Sequence, residues 1–200
     1  MNHRIQQPCE ISDSTVIGDD TKIWAYTKVL PRVIIGKGCI ISSFVEIGPD
    51  VIIGDKCKIQ NNVSVYKGVT LEEGVFCGPS CVFTNVLNPR ALIEKKDQFG
   101  QTIVKKGASI GANATILCGR PQNPRIIGKY SVIGAGSVVT KNVKNYSLTL
   151  GNPARQVGWV CICGDVLARG TEQSEGTQMK CSACNRDYKL LNNELVSSNE

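Results

Sequence analysis

Apolar residues recur at every sixth position from residue 11 to residue 88, in thirteen uninterrupted hexads. All thirteen are apolar and eleven are aliphatic: Ile11, Ile17, Ile23, Val29, Ile35, Ile41, Ile47, Ile53, Ile59, Val65, Leu71, Cys77 and Phe83. A second series, four residues after the first, is mostly small or β-branched: Thr15, Thr21, Thr27, Val33, Cys39, Val45, Val51, Cys57, Val63, Val69, Val75, Cys81 and Leu87. A period of six is not helical; it is typical of a short strand and a turn that point one large and one small side chain inward. Because no single hexad can bury its own apolar face, the repeats predict stacked coils that share one core, a parallel β-helix.

Two interruptions break this register. Residues 89–103 carry proline, charge and glycine, and they predict a projecting loop. The hexads resume at Val104, Ile110 and Ile116, and a second break at 120–124 shifts the frame by five residues before Ile127, Ile133 and Val139. Since long insertions in a regular solenoid are usually functional or interface elements, the first break is interpreted as functional.

The pattern changes again after residue 155. Two cysteine pairs follow, and seventeen residues separate the pairs: Cys161, Cys163, Cys181 and Cys184. This arrangement is typical of a four-thiolate zinc ribbon, although the first pair is C-x-C rather than C-x-x-C. The alternative is four free thiols in a flexible tail. Four protein ligands would close the site, so we expect a structural metal and no catalytic role.

The sequence therefore predicts an all-β chain with a small cysteine-rich appendage. Its expected organisation is an N-terminal cap at 1–10, a β-helix at 11–150 with the loop at 89–103, a linker at 151–157, a zinc-ribbon-like unit at 158–192 and a tail at 193–200. The other cysteines are interpreted as core packing, with Cys39, Cys57 and Cys81 at the small inward position and Cys77 at the large one.

Composition narrows the class of protein. The chain has 200 residues, which suits one domain or one domain plus an appendage, and only 6% are aromatic. The net charge of +6 comes from scattered residues rather than a basic stripe, which disfavours nucleic acid and favours a small polyanion such as a phosphorylated cofactor. There is no apolar signal region and no stretch long enough to span a membrane, so a soluble, cytoplasmic protein with free thiols is expected.

The hexads resemble the hexapeptide-repeat left-handed β-helix family, in which three hexads form one triangular coil. Members of that fold include carbonic anhydrases with three zinc-binding histidines and acyltransferases with a histidine base. The only histidine of this chain is His3, outside the hexads. The first activity is therefore excluded, and the second must proceed without a histidine base unless His3 reaches the site from the N-terminal cap.

A more specific resemblance extends over nearly the whole chain. The segments Asn61–Val69, Gly78–Ala91 and Gly107–Thr115, the Gly-Asn-Pro-Ala-Arg run at 151–155 and the Gly-Trp-x-Cys-x-Cys-Gly tail are similar to the nucleotide-sugar 3-N-acetyltransferases. The branch that the chain most resembles acetylates UDP-2-acetamido-3-amino-2,3-dideoxyglucuronate for surface polysaccharides such as the O-antigen of lipopolysaccharide. A dTDP-3-amino-3,6-dideoxyhexose N-acetyltransferase and a non-catalytic β-helix scaffold remain as alternatives.

The resemblance implies a homotrimer that binds acetyl-CoA and the nucleotide sugar between neighbouring β-helices. It implies Asn85 as the catalytic residue; an amide cannot take a proton at neutral pH, so it would act by positioning the amine. The alternative for Asn85 is an asparagine that stabilises a turn. Residues expected to bind the sugar nucleotide are Asn61, Asn62, Tyr66, Lys67, Thr84, Asn88 and Arg90.

Arg90 could bind a carboxylate or diphosphate through its bidentate fork, or it could be a solvated loop arginine. Residues expected to bind CoA are Gly111, Ala112, Gly134, Ala135, Lys141 and Arg155. The glycines and alanines would let pantetheine approach the backbone, but hexad turns also require small residues. Lys141 and Arg155 could bind its phosphates or be ordinary surface charges. The break at 120–124 lies in the coils expected to line the cofactor groove.

Overall fold

A computed structural model describes residues 3–197, and nearly all of its regular structure is short β-strands joined by turns. One short 3-10 turn, Lys96–Gln98, interrupts them. In chain order the strands are β1 (Arg4–Ile5), β2 (Glu10–Ile11), β3 (Val16–Ile17), β4 (Lys22–Ile23), β5 (Lys28–Val29), β6 (Ile34–Ile35), β7 (Ile40–Ile41), β8 (Glu46–Ile47), β9 (Ile52–Ile53), β10 (Lys58–Ile59), β11 (Ser64–Val65), β12 (Val69–Leu71), β13 (Phe76–Cys77), β14 (Val82–Phe83), β15 (Thr102–Val104), β16 (Ser109–Ile110), β17 (Thr115–Ile116), β18 (Arg125–Ile127), β19 (Val132–Ile133), β20 (Val138–Val139), β21 (Ser147–Gly151), β22 (Ala154–Val160), β23 (Val166–Arg169), β24 (Gln178–Lys180), β25 (Asp187–Leu191) and β26 (Glu194–Ser197).

The first twenty-one strands form three parallel sheets, which are the three faces of a triangular prism. Face 1 is β1-β4-β7-β10-β13-β16-β19-β21, face 2 is β2-β5-β8-β11-β14-β17-β20, and face 3 is β3-β6-β9-β12-β15-β18. We call the turns from face 1 to face 2 the first corner, those from face 2 to face 3 the second corner, and those from face 3 back to face 1 the third corner. Coils are numbered as levels from the N-terminus, so that β1, β2 and β3 make up level 1.

The regular coil is three hexads long, as the parallel registers require. Arg4 pairs with Lys22 and Lys22 with Ile40, eighteen residues apart each time. The large inward positions from Ile23 to Phe83 are at most 2% exposed, and so are those from Val104 to Val139 after the breaks. The predicted all-β fold with a parallel β-helix is therefore confirmed, and Cys39, Cys57, Cys77 and Cys81 are buried in its core.

The small inward position carries an additional function, which explains why threonine and cysteine are common there. The hydroxyls of Thr21 and Thr27 donate to the carbonyls of Gly36 and Ser42, 2.7 and 3.0 Å away in the next coil. The thiol of Cys39 lies 3.2 Å from the carbonyl of Gly54 in the same way. These small polar groups thus pair with backbone carbonyls at the corners and connect successive coils.

The β-helix begins earlier than the sequence pattern suggested. Strand β1 pairs with β4 and therefore belongs to the first coil, although residues 1–10 were expected to form a cap. Ile5 and Cys9 continue the two inward series by one hexad, and both pack against the core. Residues 1 and 2 lie outside the described part of the chain.

The loop also has different limits from those predicted. The last inward residue before it is Phe83, and Leu87, expected to point inward, is 43% exposed. The backbone amide of Gly100 donates to the carbonyl of Asn85 at 2.8 Å, and Thr102 already pairs with Val69. The loop therefore spans 84–101 rather than 89–103, because backbone pairing closes it at Asn85 and Gly100.

The C-terminal segments are strands where a linker and a tail were expected. Residues 151–157 lie in the antiparallel pair β21–β22, which extends face 1 and continues into β23. Residues 194–197 form β26, the edge of a three-stranded sheet with β24 and β25, while 198–200 lie outside the described residues. Tyr146 stacks on Tyr130 and contacts Tyr188 edge-on, with ring centroids 5.5 and 5.7 Å apart, so the appendage packs against the end of the β-helix.

Candidate functional site

Both breaks in the hexad register lie on the second corner, at successive levels. The amides of Gly119 and Arg125 both donate to the carbonyl of Gln101, at 2.9 and 2.8 Å, so the chain leaves and re-enters the coil at one point. Between them, Arg120 and Asn123 exchange backbone hydrogen bonds of 2.9 and 3.1 Å in a tight hairpin. The level 5 loop therefore lies directly beside the level 6 hairpin.

The loop and the hairpin border two adjoining open cavities. One, of about 340 Å³, is lined by Val86, Leu87, Asn88, Asp97, Gln98, Gly119, Arg120, Pro121 and Gln122. The other, of about 320 Å³, is lined by Leu87, Cys118, Gly119, Arg120, Asn123, Pro124, Arg125, Lys141 and Asn142. The two insertions and the residues beside them thus supply most of the lining of both cavities.

Asn85 lies where the loop leaves the β-helix. Its backbone carbonyl closes the loop through Gly100, and its side chain is half-buried. Among the described residues no hydrogen bond engages its side-chain amide, so the amide can meet a ligand. The neighbouring Thr84 differs, because its hydroxyl accepts a 3.0 Å hydrogen bond from the amide of Cys118. The structure therefore gives Thr84 a role in joining two coils.

Tyr66 and Lys67 lie on the same corner one level below Asn85 and Thr84, as their spacing predicted. Lys67 Nζ pairs with Asp50 Oδ2 at 3.1 Å, and Asp50 also accepts hydrogen bonds of 2.6 and 3.0 Å from Arg32. The hydrogen bonds from Arg32 and Lys67 lower the pKa of Asp50 from 3.8 to about 2. Lys67 is thus held within an exposed ion-pair network, and the preceding residue, Tyr66, is half-buried.

The two loop residues differ in position. Asn88 lines the cavity between the loop and the hairpin. Arg90 lies further along the loop, fully exposed, where its Nη1 donates to the carbonyl of Pro89 at 3.2 Å. Neither cavity is lined by Arg90 or by Asn85, so of the residues expected to contact the sugar nucleotide only Asn88 lines the cavities.

Most of the remaining predicted ligands lie on the first corner or at the top of face 1, whereas Lys141 lies at level 7 of the second corner. Asn61 and Asn62 lie at level 4 of that corner, separated from Asn85 by the width of face 2. Higher on the same corner lie Gly111, Ala112, Gly134 and Ala135, and Arg155 lies on β22, where it pairs with Leu150. One chain therefore does not bring these residues together with Asn85.

The glycines of the first corner have a structural explanation. A Cβ on Gly111 would lie 2.5 Å from the backbone nitrogen of Ala135, and one on Gly134 would meet the side chain of Leu150. Close stacking of successive coils therefore requires glycine at position 111, whether or not a cofactor approaches, whereas a Cβ at position 134 would only need the end of the Leu150 side chain to move. Arg155 is exposed and donates to the carbonyl of Ala154 at 2.9 Å.

Sequence reasoning missed three residues of the second corner. Arg125 and Asn142 line the same cavity as Lys141, and Arg120 borders both cavities. Arg120 and Arg125 flank the Pro121–Pro124 break. Their position beside a frame shift is the sequence feature that could have identified them as candidate site residues.

Comparison with known proteins identifies the family. The family described as bacterial transferase hexapeptide (six repeats) matches residues 14–49. A dTDP-3-amino-3,6-dideoxy-alpha-D-galactopyranose 3-N-acetyltransferase from Aneurinibacillus thermoaerophilus is 45% identical over 160 residues, which cover 80% of each chain. This chain belongs to the hexapeptide-repeat acetyltransferase family. As a member of that family it is an acyltransferase.

Two further similarities are more limited. The bifunctional protein GlmU from Thermotoga maritima is 48% identical over 62 residues, which are 30% of this chain and 13% of that protein. A solved structure of a mutant GDP-perosamine N-acetyl transferase from Caulobacter crescentus, in complex with CoA and GDP-perosamine, has a TM-score of 0.55 and 21% identity. It covers 79% of this chain and 57% of that one, and it supports the β-helix fold of this hexapeptide-repeat acetyltransferase.

The single histidine of this acetyltransferase lies far from the candidate site. His3 precedes β1 at level 1, and Asn85 lies at level 5. Four coil spacings separate them, about 19 Å at the usual distance between hydrogen-bonded strands. His3 therefore does not reach Asn85 within the chain.

The four appendage cysteines converge on one point. Their sulfur atoms all lie within 4.8 Å of one another, with Cys161 and Cys184 at 3.3 Å and Cys163 and Cys181 at 3.6 Å. Four thiolates around one zinc ion lie about 3.8 Å apart, given Zn–S distances of about 2.3 Å, so the cluster fits such an ion. Tyr188 supports it, since its hydroxyl lies 3.0 Å from Cys161 Sγ and accepts from the amide of Ile162.

The described residues contain no helix of the length and apolarity that a membrane span requires.

Proposed function

We propose that this enzyme transfers the acetyl group of acetyl-CoA to the 3-amino group of a dTDP-linked 3-amino-3,6-dideoxyhexose. The observation that carries the proposal is the 45% identity, over 80% of both chains, with an acetyltransferase named for that class of sugar. The UDP-linked 3-amino uronate expected from the sequence resemblance is the second candidate, favoured by the Gly-Trp-x-Cys-x-Cys-Gly tail. Either product would be made in the cytoplasm and would serve as a precursor for surface polysaccharide.

In the proposed reaction the neutral sugar amine attacks the thioester carbonyl carbon. The C–N bond forms, the C–S bond breaks, and CoA leaves as a thiolate that takes up the amine proton directly or through water. The half-buried, unengaged amide of Asn85 would hold the amine in line with the carbonyl. Alignment of this kind supplies much of the rate enhancement without a histidine base.

The positions of the predicted ligands support a homotrimer. Asn85 and Asn88 on the sugar side lie on the second corner with Lys141 from the CoA side. Gly111 and Gly134 on the CoA side lie on the first corner with Asn61 and Asn62 from the sugar side, so each substrate has expected ligands on both corners. A threefold arrangement that brings the second corner of one chain to the first corner of the next turns face 2 toward the axis. Near the site the outward positions of face 2 are small and uncharged, which would permit this approach: Ser64, Val82, Thr115 and Val138.

We further propose that the appendage binds one structural zinc ion through Cys161, Cys163, Cys181 and Cys184. The convergence of four thiols and the support of Tyr188 favour this assignment. An ion with four protein ligands has no open position for substrate, so its role would be to stabilise the ribbon.

A screen of amino-sugar nucleotides with acetyl-CoA tests the activity, with release of free thiol as the readout. We expect turnover with the dTDP-linked 3-amino sugar and little with sugars that lack a 3-amino group. If none of the dTDP- or UDP-linked 3-amino sugars gives thiol release, the proposal is contradicted. Asn85→Ala should lower kcat/KM about 100-fold with an unchanged melting temperature. The control is Gln178→Ala, which removes an exposed side-chain amide elsewhere on the chain and should behave as wild type.

Elemental analysis of the purified protein tests the metal assignment. We expect about one zinc ion per chain in the wild type and in Cys9→Ser, whose thiol lies outside the cluster. Cys161→Ser and Cys184→Ser should lose the metal and melt at lower temperature. A metal-free wild-type protein with four reactive thiols would contradict the assignment.

A further inference from the structure

The cavity beside the second break is lined by cations and by no carboxylate. Arg120, Arg125 and Lys141 all line this space of about 320 Å³, together with uncharged residues such as Leu87 and Asn142. Within residues 3–197 none of the ion pairs includes any of these three cations. Like charges brought to one small cavity repel each other, and a bound anion would relieve that repulsion.

The second break is what assembles these charges. Strands β15 and β18 pair Thr102 with Arg125, twenty-three residues apart, where a regular coil needs eighteen. The five additional residues fold into the hairpin closed by Arg120 and Asn123, which places Arg120 and Arg125 at its two ends. Lys141 comes from the next level of the same corner, so the insertion completes a cluster that the regular coil would lack.

One member of the cluster is fixed in place. Arg125 Nε donates to the carbonyl of Leu117 at 3.0 Å and Nη1 to Asn142 Oδ1 at 3.3 Å. Its half-buried guanidinium therefore has a defined orientation, and among the described residues its Nη2 forms no hydrogen bond. Loss of hydration lowers its pKa from the ordinary value. A cation that is already oriented loses little conformational entropy when it binds an anion.

We propose that this cavity binds a phosphate group of one of the two substrates. The inference rests on the proposed function, because acetyl-CoA and the nucleotide sugar both carry phosphates. The volume is near the lower end of the range of about 300–1,000 Å³ for ligand pockets, which suits one charged end rather than a whole cofactor. The cavity extends from the level 5 loop to level 7, and its cations lie one and two coils above Asn85, or about 5 to 10 Å along the β-helix. A ligand whose reactive end lies at Asn85 can therefore extend its phosphate into the cavity.

Calorimetric titration with inorganic pyrophosphate tests the site without reference to the enzyme's activity. The double variant Arg120→Gln/Lys141→Gln removes two cations from exposed side chains and keeps the backbone hairpin. We expect it to bind pyrophosphate at least about tenfold more weakly than wild type, the loss that one or two charge-assisted hydrogen bonds would cause. The matched variant Lys189→Gln, which removes a distant exposed charge from β25, should bind as wild type does. Equal affinity in the double variant and the wild type would overturn the inference.

Paired ligands identify which phosphate is bound. If the cavity holds the 3′-phosphate of CoA, the double variant should lose the wild-type preference for CoA over 3′-dephospho-CoA. If it holds the nucleotide diphosphate, the variant should lose the preference for dTDP over dTMP. A double variant that keeps both preferences and binds CoA and dTDP as tightly as wild type overturns the assignment to a substrate phosphate. Failure of the proposed function would be seen separately, as an absence of turnover by the wild type with every amino-sugar nucleotide. The pyrophosphate comparison would still decide whether the phosphate site exists.

Discussion

At the scale of single residues, the hydroxyl of Thr84 joins the loop coil to the coil above it. It accepts the hydrogen bond of the Cys118 amide, and Cys118 is fully buried. Thr84→Val keeps the shape of the side chain but leaves this amide without an acceptor. We therefore expect the free energy of unfolding to fall by about 1–3 kcal/mol, measured by denaturant titration.

Thr84→Ser is the matched control, because it keeps the hydroxyl oxygen and should retain most of the stability. If Thr84→Val unfolds at the same denaturant concentration as wild type, the hydrogen bond contributes nothing. Thr84 would then be available for the substrate role that the sequence suggested.

A second residue-scale prediction concerns acid stability. Hydrogen bonds from Arg32 and Lys67 lower the pKa of Asp50 from 3.8 to about 2 in the folded chain. A carboxyl whose folded pKa is lowered stabilises the fold fully above its unfolded pKa, and that stabilisation is lost as the pH falls through the folded pKa. Between pH 3.8 and about 2 the melting temperature of Asp50→Asn should therefore depend less on pH than that of wild type.

Asp13→Asn serves as the comparison for this experiment. Asp13 is an exposed acid at level 1 of the same corner, outside the ion pairs of the described residues. If the melting temperatures of wild type and Asp50→Asn change with pH in the same way across this range, the Arg32–Asp50–Lys67 network does not contribute to acid stability.

At the scale of elements, the coils were predictable from sequence and the ends of the insertions were not. The inward series follows from side-chain periodicity alone, which is why it holds from Ile11 to Phe83 and again from Val104 to Val139. Leu87 matches the period yet is exposed, because backbone hydrogen bonds at Asn85 and Gly100, which no side-chain pattern reveals, close the loop.

Residue spacing alone assigns the site residues to corners. Asn61 and Asn85 are twenty-four residues apart, one coil plus one hexad, and therefore lie on different corners. Gly111 illustrates the opposite limit, since the sequence cannot tell whether a cofactor or the next coil approaches its α-carbon. The structure shows that the next coil does.

Gly100 controls the fit between the two insertions. A Cβ at this position would meet the carbonyl oxygen of Gly119 and the side chain of Cys118. Gly100→Ala should therefore push the loop away from the hairpin and displace Asn85, which its amide holds. A displacement of about 1 Å can cost about 100-fold in rate, so we expect a large loss of kcat/KM with the best amino-sugar nucleotide.

Gly170→Ala separates this effect from general backbone strain. Gly170 has a φ of 82° and nothing within 4 Å of a Cβ, so alanine adds strain there but no clash. It should keep full activity with a modest loss of stability. Full activity in Gly100→Ala would show that the loop can shift without disturbing the reaction.

At the scale of the whole molecule, two exposed aromatic residues mark the first corner. Tyr26 and Phe44 stack with ring centroids 5.1 Å apart and are 59% and 57% exposed. Both have positive φ, 65° and 60°, a conformation that bulky side chains adopt only at a cost of about 1–3 kcal/mol. In the proposed trimer the first corner contacts the next chain, and burial of the rings there would offset that cost.

Replacement of both aromatics by asparagine should therefore separate folding from assembly. Asparagine tolerates positive φ, so Tyr26→Asn/Phe44→Asn should fold at least as stably as one chain. Because it removes the apolar contact, it should sediment as a monomer at concentrations where wild type is a trimer, and its activity should fall in proportion. Lys56→Asn is the matched control, because Lys56 lies on the third corner and also has a positive φ of 57°. It should relieve the same backbone strain and remain trimeric and active.

Face 3 provides the competing interface, and the same measurement discriminates between the two. Its outward positions at the first three levels are the exposed aliphatics Val16, Ile34 and Ile52. If Ile34→Lys dissociates the assembly while the aromatic double variant does not, face 3 is turned toward the axis. The first and second corners of neighbouring chains would then not meet, and the CoA-side residues would have to be sought near the third corner. If only the aromatic variant dissociates, Asn85 of one chain and Gly111 of the next belong to one active site.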